Sequence, residues 1–243
     1  MSDLPLRVPC QSAFFFDFDG TLVALAPRPE LVEVSPEVRN LLGTLYARYD
    51  GAVAIVTGRP LQAVDEFLAP VQLATAAEHG SVRRDAAGSL NIDEGNAPAI
   101  EAAYGLLEAL TEDNFGLLLE RKSSSIALHY RQRPELKALC EEAVEDVVSR
   151  DPSLTVLPGK MVLELKPKGI DKGEAVRAFL KEAPFEGRMP IFMGDDVTDE
   201  HAFAVVNSLG GISVKIDEGD TLAQYRTDRK GLFEWLFRLV QDA

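Results

Sequence analysis

Two aspartates, Asp17 and Asp19, stand two residues apart directly after the aromatic run Phe14-Phe15-Phe16, and Gly20-Thr21 follow them. Burying carboxylates without partners costs several kcal/mol, so a chain that drives an apolar strand into a pair of them has a use for them. Other polar clusters also follow or adjoin apolar runs. Thr57-Gly58-Arg59 comes after AVAIV, Gly194-Asp195-Asp196-x-Thr198-Asp199-Glu200 completes PIFM, and between those two Lys168-Gly169-x-Asp171-Lys172-Gly173 opens a helix. Carboxylates about 4 Å apart repel by roughly 4 kcal/mol at an effective dielectric near 20. Gathered in one place, Asp17, Asp19, Asp195 and Asp199 drive one another apart unless a hard cation joins them. Oxygen-only ligation with room for waters and a phosphate suits Mg2+, which also offsets the repulsion between an attacking carboxylate and a phosphate dianion. Calcium of the EF-hand kind is excluded, because the glycine falls two positions early, the last loop glutamate is missing and a strand precedes the loop. Singly, each cluster reads equally well as a turn, a helix entry or a helix-dipole complement. Their joint placement at successive strand ends is what makes a site.

The elements that must bring them together are legible from periodicity. Continuous apolar runs at 12–17, 52–56, 72–76, 190–193 and 211–215 predict strands buried on both faces. Val38, Leu41, Leu42 and Leu45 recur at helical spacing after Ser35-Pro36, an N-cap followed by proline at the first helical position. Further helices are predicted over 61–69, 172–182, 198–208 and 229–240. The βαβ rhythm implies a parallel sheet with right-handed crossovers, and in such a sheet ligands bind beyond the carboxyl ends of the strands. The middle of the chain differs. After the polar stretch 85–96 come a helix at 98–111, β-like runs at 115–121 and 125–131, a helix at 134–149, and runs at 154–158 and 161–166. Two αββ units in succession predict a small antiparallel sheet with helices on one face. The expected organisation is an α/β, Rossmann-like core in 1–96 and 167–243 with an α+β domain inserted at 97–166.

Composition bounds the partners. Asp and Glu outnumber Lys and Arg by 39 to 25 in 243 residues, for a net charge of −14, and such a field disfavours a nucleic-acid binder. Cys10 and Cys140 fit no disulfide framework or metal pattern, so a reducing, cytoplasmic setting is expected. The run Ala13–Phe16 is cut off at Asp17, too early for a leader peptide, and no apolar stretch is long enough to span a membrane.

Asp17-x-Asp19-Gly20-Thr21, then Thr57, Lys172 and Gly194-Asp195-Asp196-x-x-x-Glu200, resemble the four motifs of the haloacid dehalogenase superfamily. Within it, TGR at 57–59, EHG at 78–80, ERK at 120–122, LHYR at 128–131, ELKP at 164–167 and GDDxTDE at 194–200 resemble the trehalose-6-phosphate phosphatases along nearly the whole chain. The resemblance implies a Mg2+-dependent hydrolase of trehalose biosynthesis that passes through an aspartyl phosphate. It implies Asp17 as nucleophile, Asp19 as general acid and then base, and Thr57 and Lys172 as holders of the phosphoryl oxygens. The metal would sit on the Asp17 carboxylate, the Asp19 carbonyl and Asp195, with Asp196 and Asp199 orienting its waters. The inserted domain resembles the αββαββ cap that excludes water in this family. Glu120, Lys122 and Glu164 are carried over as sugar ligands, with Arg59, Arg131 and His129 as further candidates. The basic cluster Arg121, Lys122, Arg131, Arg133 and Lys137 is expected to form a wall facing an anionic substrate. Lys172 is chosen over Lys168 for the helix that follows it, and Thr57 stands where many relatives have serine.

The expected partner is a small sugar phosphate, trehalose 6-phosphate, with no nucleic acid or membrane, a monomer, and a phosphatase without a synthase-like domain. Open alternatives are a phosphatase of the same fold acting on sucrose phosphate or a glycosylglycerate phosphate, a phosphomutase, and a non-catalytic sugar-phosphate sensor.

Overall fold

In the computed structural model, which describes residues 4–26, 28, 31–92, 97–122, 124–159 and 161–241, the first strand explains the aromatic run. β1 (Ser12–Phe16) is buried along its whole length. Phe14 and Phe16 pack with Leu41, Leu42, Leu45 and Trp235 on one face of the sheet. Phe15 points to the other face and meets Phe179, Phe185, Phe192 and Val206. Its ring centroid lies 5.5 Å from that of Phe185 and 6.0 Å from that of Phe179, spacings at which aromatic pairs contribute beyond the area they bury. Consecutive aromatics serve a strand that has helices on both sides.

From β1 the chain runs through α1 (Pro36–Arg48), β2 (Val53–Val56), α2 (Leu61–Leu68) and β3 (Ala74–Ala77) to β4 (Val82–Arg84) and β5 (Leu90–Ile92). After an intervening segment it returns through α5 (Lys172–Phe179), β10 (Met189–Gly194), α6 (Glu200–Ser208), β11 (Ile212–Ile216), β12 (Tyr225–Thr227) and α7 (Arg229–Gln241). The strand order is β12-β11-β10-β1-β2-β3-β4-β5. β1 pairs in parallel with β2 on one side and β10 on the other, Phe15 lying opposite Ala54 and Phe192. Succession thus moves outward from β1 in one direction, then resumes beside β1 in the other. That reversal makes the carboxyl ends of β1 and β10 the place where a crevice must open. α1 begins as its sequence predicts, with Ser35 accepting from the Val38 N–H and Pro36 in the first turn.

The segment between is α3 (Ala97–Asp113), β6 (Leu118–Arg121), β7 (Ile126–His129), α4 (Lys137–Arg150), β8 (Leu154–Gly159) and β9 (Val162–Pro167), with an antiparallel sheet in the order β6-β7-β9-β8. Ala103 and Leu107 of α3 and Cys140, Val144 and Val147 of α4 pack on Ile126, Leu128, Leu163 and Leu165. Since side chains alternate along a strand, Glu120, Ala127 and Glu164, which are partners in register, occupy the face opposite the helices. The chain divides into two units, one of Met1–Asn91 with Asp171–Ala243 and one of Ile92–Ile170.

The α/β core and the α+β insertion are the expected fold class. Three strands were not expected. β4 and β5 carry the sheet into the polar stretch after residue 82, antiparallel to β3 where they begin, and β5 is exposed on both faces, so no apolar pattern marks it. β12 is a three-residue edge strand. The run 115–121 becomes a strand only from Leu118, because Gly116 turns the chain at φ +96° and leaves Phe115 90% exposed. The basic cluster does not form one wall. Arg121 falls on the helix side of its strand, pairing with Glu101 and lying 5.5 Å from the Tyr104 ring, while Arg133 pairs with Glu135 and Lys137 with Glu141. Alternation separates Arg121 from Lys122. No helix among the described residues is long and apolar enough to cross a membrane.

Candidate active site

The first unit supplies the chemistry. The Asp17 N–H donates to the Met193 carbonyl at 2.9 Å, extending the β1–β10 ladder by one residue and fixing where its carboxylate begins. Asp17 is 4% exposed. The Lys172 ammonium donates to Asp17 Oδ1 at 2.6 Å and to Asp199 Oδ1 at 2.7 Å. It comes from the first turn of α5, whose N-cap Asp171 accepts from the Glu174 N–H; Lys168 is exposed. The other Asp199 oxygen accepts from the Asp196 N–H at 2.9 Å. Asp199 is wholly buried and thereby ties the loop after β10 to the ammonium. Asp196 and Asp199 cap each other reciprocally at the short helical turn Val197–Asp199. Glu200 reaches away, accepting from the Leu222 N–H.

Thr57 is buried, its backbone N–H bound to Ala76 O and its hydroxyl accepting from the Arg59 N–H. The Arg59 guanidinium grips both Asp19 oxygens, at 2.5 and 2.7 Å, and sits 5.0 Å from the centre of the Phe67 ring and 5.6 Å from that of Phe18. Asp17, Asp19, Thr57, Arg59, Lys172 and Asp195 line one cavity of about 370 Å³.

Charge in this cavity is unbalanced. Burial, and then the carboxylates of Asp199 and Asp195, push Asp17 well above the ordinary carboxylate range against the pull of Lys172. Burial alone would lower Lys172, but Asp17 and Asp199 together more than reverse that, so it stays cationic. Asp195 is pushed up to about 6 by burial and by its Asp199 and Asp196 neighbours, partly offset by Lys172 and Lys215. Lys172 donates to Asp17 and Asp199, and Lys215 meets the Asp195 backbone carbonyl, not its carboxylate. Oxygens of Asp17, Asp195 and Asp199 lie within 4.8 Å of one another, and Asp17 Oδ2 is buried with no hydrogen-bond partner among the described residues. Gly20 has φ +82°, and a Cβ there would stand 2.0 Å from Asp195 Oδ2, so glycine keeps that carboxylate in place. An orphaned carboxylate oxygen facing further oxygen donors fits a hard divalent cation.

Two residues of the site were given no role from sequence, although His79 stands within the EHG motif at 78–80. Lys215, buried at the end of β11 opposite Gly194, donates its ammonium to the Asp195 carbonyl. His79, just past the end of β3, lines the cavity. Both stand at or just beyond strand carboxyl ends, the rule that found the other clusters, yet a lone lysine closing an apolar run and a histidine in a turn carry no spacing signal.

In the second unit, Lys122 Nζ donates to Glu164 Oε2 and Ser125 Oγ to Glu164 Oε1, each at 2.7 Å. Glu120 Oε2 lies 2.9 Å from His129 Nε2. Arg131 is exposed beyond β7. The hairpin therefore places Glu120 with His129 and Lys122 with Glu164.

Comparison with known proteins agrees with this geometry. The family model described as Trehalose-phosphatase matches residues 15–230. A trehalose-6-phosphate phosphatase of Escherichia coli strain K12 is 40% identical over 214 residues, 88% of this chain and 80% of that protein. A probable trehalose-phosphate phosphatase of Sinorhizobium fredii is also 40% identical, over 84% of this chain and 77% of its own. The C-terminal domain of a Candida albicans trehalose-6-phosphate phosphatase superposes with a TM-score of 0.78 at 22% identity, covering 96% of this chain and 94% of that one, a likeness of fold. A buried carboxylate and lysine at the reversal point of a parallel sheet, the cavity they line and these sequence matches together establish that the chain belongs to the trehalose-phosphatase family, phosphoric monoester hydrolases of the haloacid dehalogenase fold.

Proposed function

We propose that this chain hydrolyses trehalose 6-phosphate to trehalose and inorganic phosphate through a phosphorylated Asp17. The observation that carries the reading is Asp17 itself: one oxygen held by Lys172, the other buried and without a donor among the described residues, in the wall of a cavity. An Asp17 oxygen attacks phosphorus as the bond to the sugar oxygen breaks, and Asp19 gives its proton to that oxygen. Water then attacks the phosphoryl-aspartate, Asp19 takes a proton from it, and phosphate leaves with Asp17 restored. Lys172 and Thr57 hold the phosphoryl oxygens, and Asp199 keeps Lys172 aimed. Arg59, which grips Asp19, is a donor for the arriving phosphate, and its transfer to that dianion frees Asp19. Asp17 and Asp195 would hold Mg2+, with the Asp19 carbonyl as a third ligand and Asp196 and Asp199 near its waters. Bound there, the ion neutralises charge on the carboxylates and on the phosphoryl group.

Glu120, Lys122 and Glu164, with His129 and Arg131, are the sugar ligands in this reading. Carboxylates and an ammonium on the face of a sheet opposite its helices suit a polyhydroxylated substrate. Cys10 and Cys140 are free thiols, in keeping with a cytoplasmic enzyme. The test is phosphate release across a panel of trehalose 6-phosphate, sucrose phosphate, a glycosylglycerate phosphate and a small aryl phosphate, with Mg2+ and with chelator. Trehalose 6-phosphate should lead the panel, chelator should abolish turnover, and Asp17→Asn should lower it a thousandfold or more. Preference for another sugar phosphate would move the substrate assignment within the fold, and an isomerised phosphate product would make the enzyme a mutase.

A further inference from the structure

Past the end of β3 the chain takes positive φ at three successive residues, Glu78 at 48°, His79 at 60° and Gly80 at 112°. Glycine adopts such angles freely; other residues do so uncommonly, histidine more readily than glutamate, and at a cost that surrounding structure must offset. Two hydrogen bonds do so here. The Glu78 N–H donates to Arg59 O at 3.0 Å and the His79 N–H to Thr57 O at 2.8 Å, fastening the turn to both ends of Thr57-Gly58-Arg59. The result is a defined place for the imidazole. A Cβ on Gly58 would stand 2.7 Å from both Cε1 and Nε2 of His79, so the ring lies directly on that glycine. The ring also lines the cavity that holds Asp17, Thr57 and Lys172. A turn needs no imidazole, and strain retained beside reacting groups points to use.

We propose that His79 is a further catalytic residue, its imidazole N–H donating to an oxygen of the phosphoryl group held by Thr57 and Lys172. This rests on the reading that the cavity takes a phosphate monoester and is independent of which sugar the ester carries. Inorganic phosphate binding to the full chain with Mg2+, followed by calorimetry, tests it in wild type, His79→Gly and His79→Asn. Glycine suits the left-handed backbone, so His79→Gly should melt at the wild-type temperature or above while its phosphate Kd rises about 10-fold or more, the range of one hydrogen bond to a charged group. kcat/KM should fall by a similar factor on trehalose 6-phosphate and on p-nitrophenyl phosphate. His79→Asn, which tolerates the same backbone and keeps an N–H donor, should recover part of the affinity. An unchanged phosphate Kd in His79→Gly overturns the proposal, as does a loss confined to the sugar phosphate. A wild type that binds phosphate and cleaves the aryl ester but ignores trehalose 6-phosphate overturns the substrate assignment alone.

Discussion

Replacing Lys172 by methionine removes an ammonium that touches both Asp17 and Asp199 while keeping most of the side chain's volume. Lys172, Asp17 and Asp199 have side chains 3%, 6% and 0% exposed, and the two contacts measure 2.6 and 2.7 Å. Deleting one member of a buried ionic set costs about 3–5 kcal/mol, because the remaining charges lose their compensation without regaining water. Two charge-assisted hydrogen bonds at roughly 1.5–3 kcal/mol each give about 3–6 kcal/mol, which overlaps that range. At about 2–4 °C per kcal/mol for a chain of this size, the metal-free variant should melt roughly 6–20 °C below wild type at pH 7.5. The deficit should also depend on pH with a definite sign. Asp17 is raised well above its ordinary 3.8 even with Lys172 pulling it down, so without Lys172 the folded chain holds a proton there that the unfolded chain releases. Stability is then lost as pH rises from about 4 through that raised value. The gap to wild type should therefore narrow on acidification, as Asp17 takes up its proton in the variant. Circular dichroism melts in chelator at pH 5 and 7.5 measure it, and adding Asp199→Asn should return part of the loss. A deficit under about 3 °C at pH 7.5, or one that widens on acidification, would refute this account of the buried charge.

Gly20→Ala meets both a φ of +82° and a contact of 2.0 Å to Asp195 Oδ2; the metal-induced rise in melting temperature should vanish, with a stability cost of at least about 1–2 kcal/mol. Retained metal response would show that Asp195 does not need that space. In the chelated wild type, Asp195 raised to about 6 favours folding below that pH, so Mg2+ should raise the melting temperature more at pH 7.5 than at pH 5. An equal or larger rise at pH 5 would contradict the assignment. Lys122→Ala and Glu164→Ala should depress kcat/KM on trehalose 6-phosphate at least about 10-fold more than on p-nitrophenyl phosphate, the scale of a hydrogen bond to a charged group, with equal losses counting against a sugar contact. Gly173→Ala would set a Cβ 2.7 Å from His201 O where α5 packs on α6, and denaturant titration should show about 1–3 kcal/mol of destabilisation from overpacking.

Particular residues show where local pattern sufficed and where it did not. Phe14 to Phe16 had to be a strand covered on both faces, and Ser35-Pro36 had to open a helix, since burial period and capping chemistry are properties of a few consecutive residues. The carboxyl-end rule for parallel sheets put Asp17 and Asp195 on one sheet edge, whereas the pairing of β1 with β10 came from the fold. Residues 82–92 were opaque for the converse reason: an exposed three-residue strand such as Leu90–Ile92 owes its form to the neighbour it pairs with, and no apolar alternation records that.

Partner choice was the property that folding alone resolved. Lys172 and Asp17 are 155 positions apart; the helix that follows Lys172 favoured it over Lys168, but nothing near either residue says that its ammonium bridges Asp17 and Asp199. Types and order of the reactive groups belong to the chain as a string, because they follow from what each short segment must bury or cap. Which oxygen meets which nitrogen, that Arg59 closes on Asp19, that Lys215 secures the Asp195 carbonyl and that His79 rests on Gly58, depends on ångström-scale placement between distant segments, and close packing of the assembled core sets that placement.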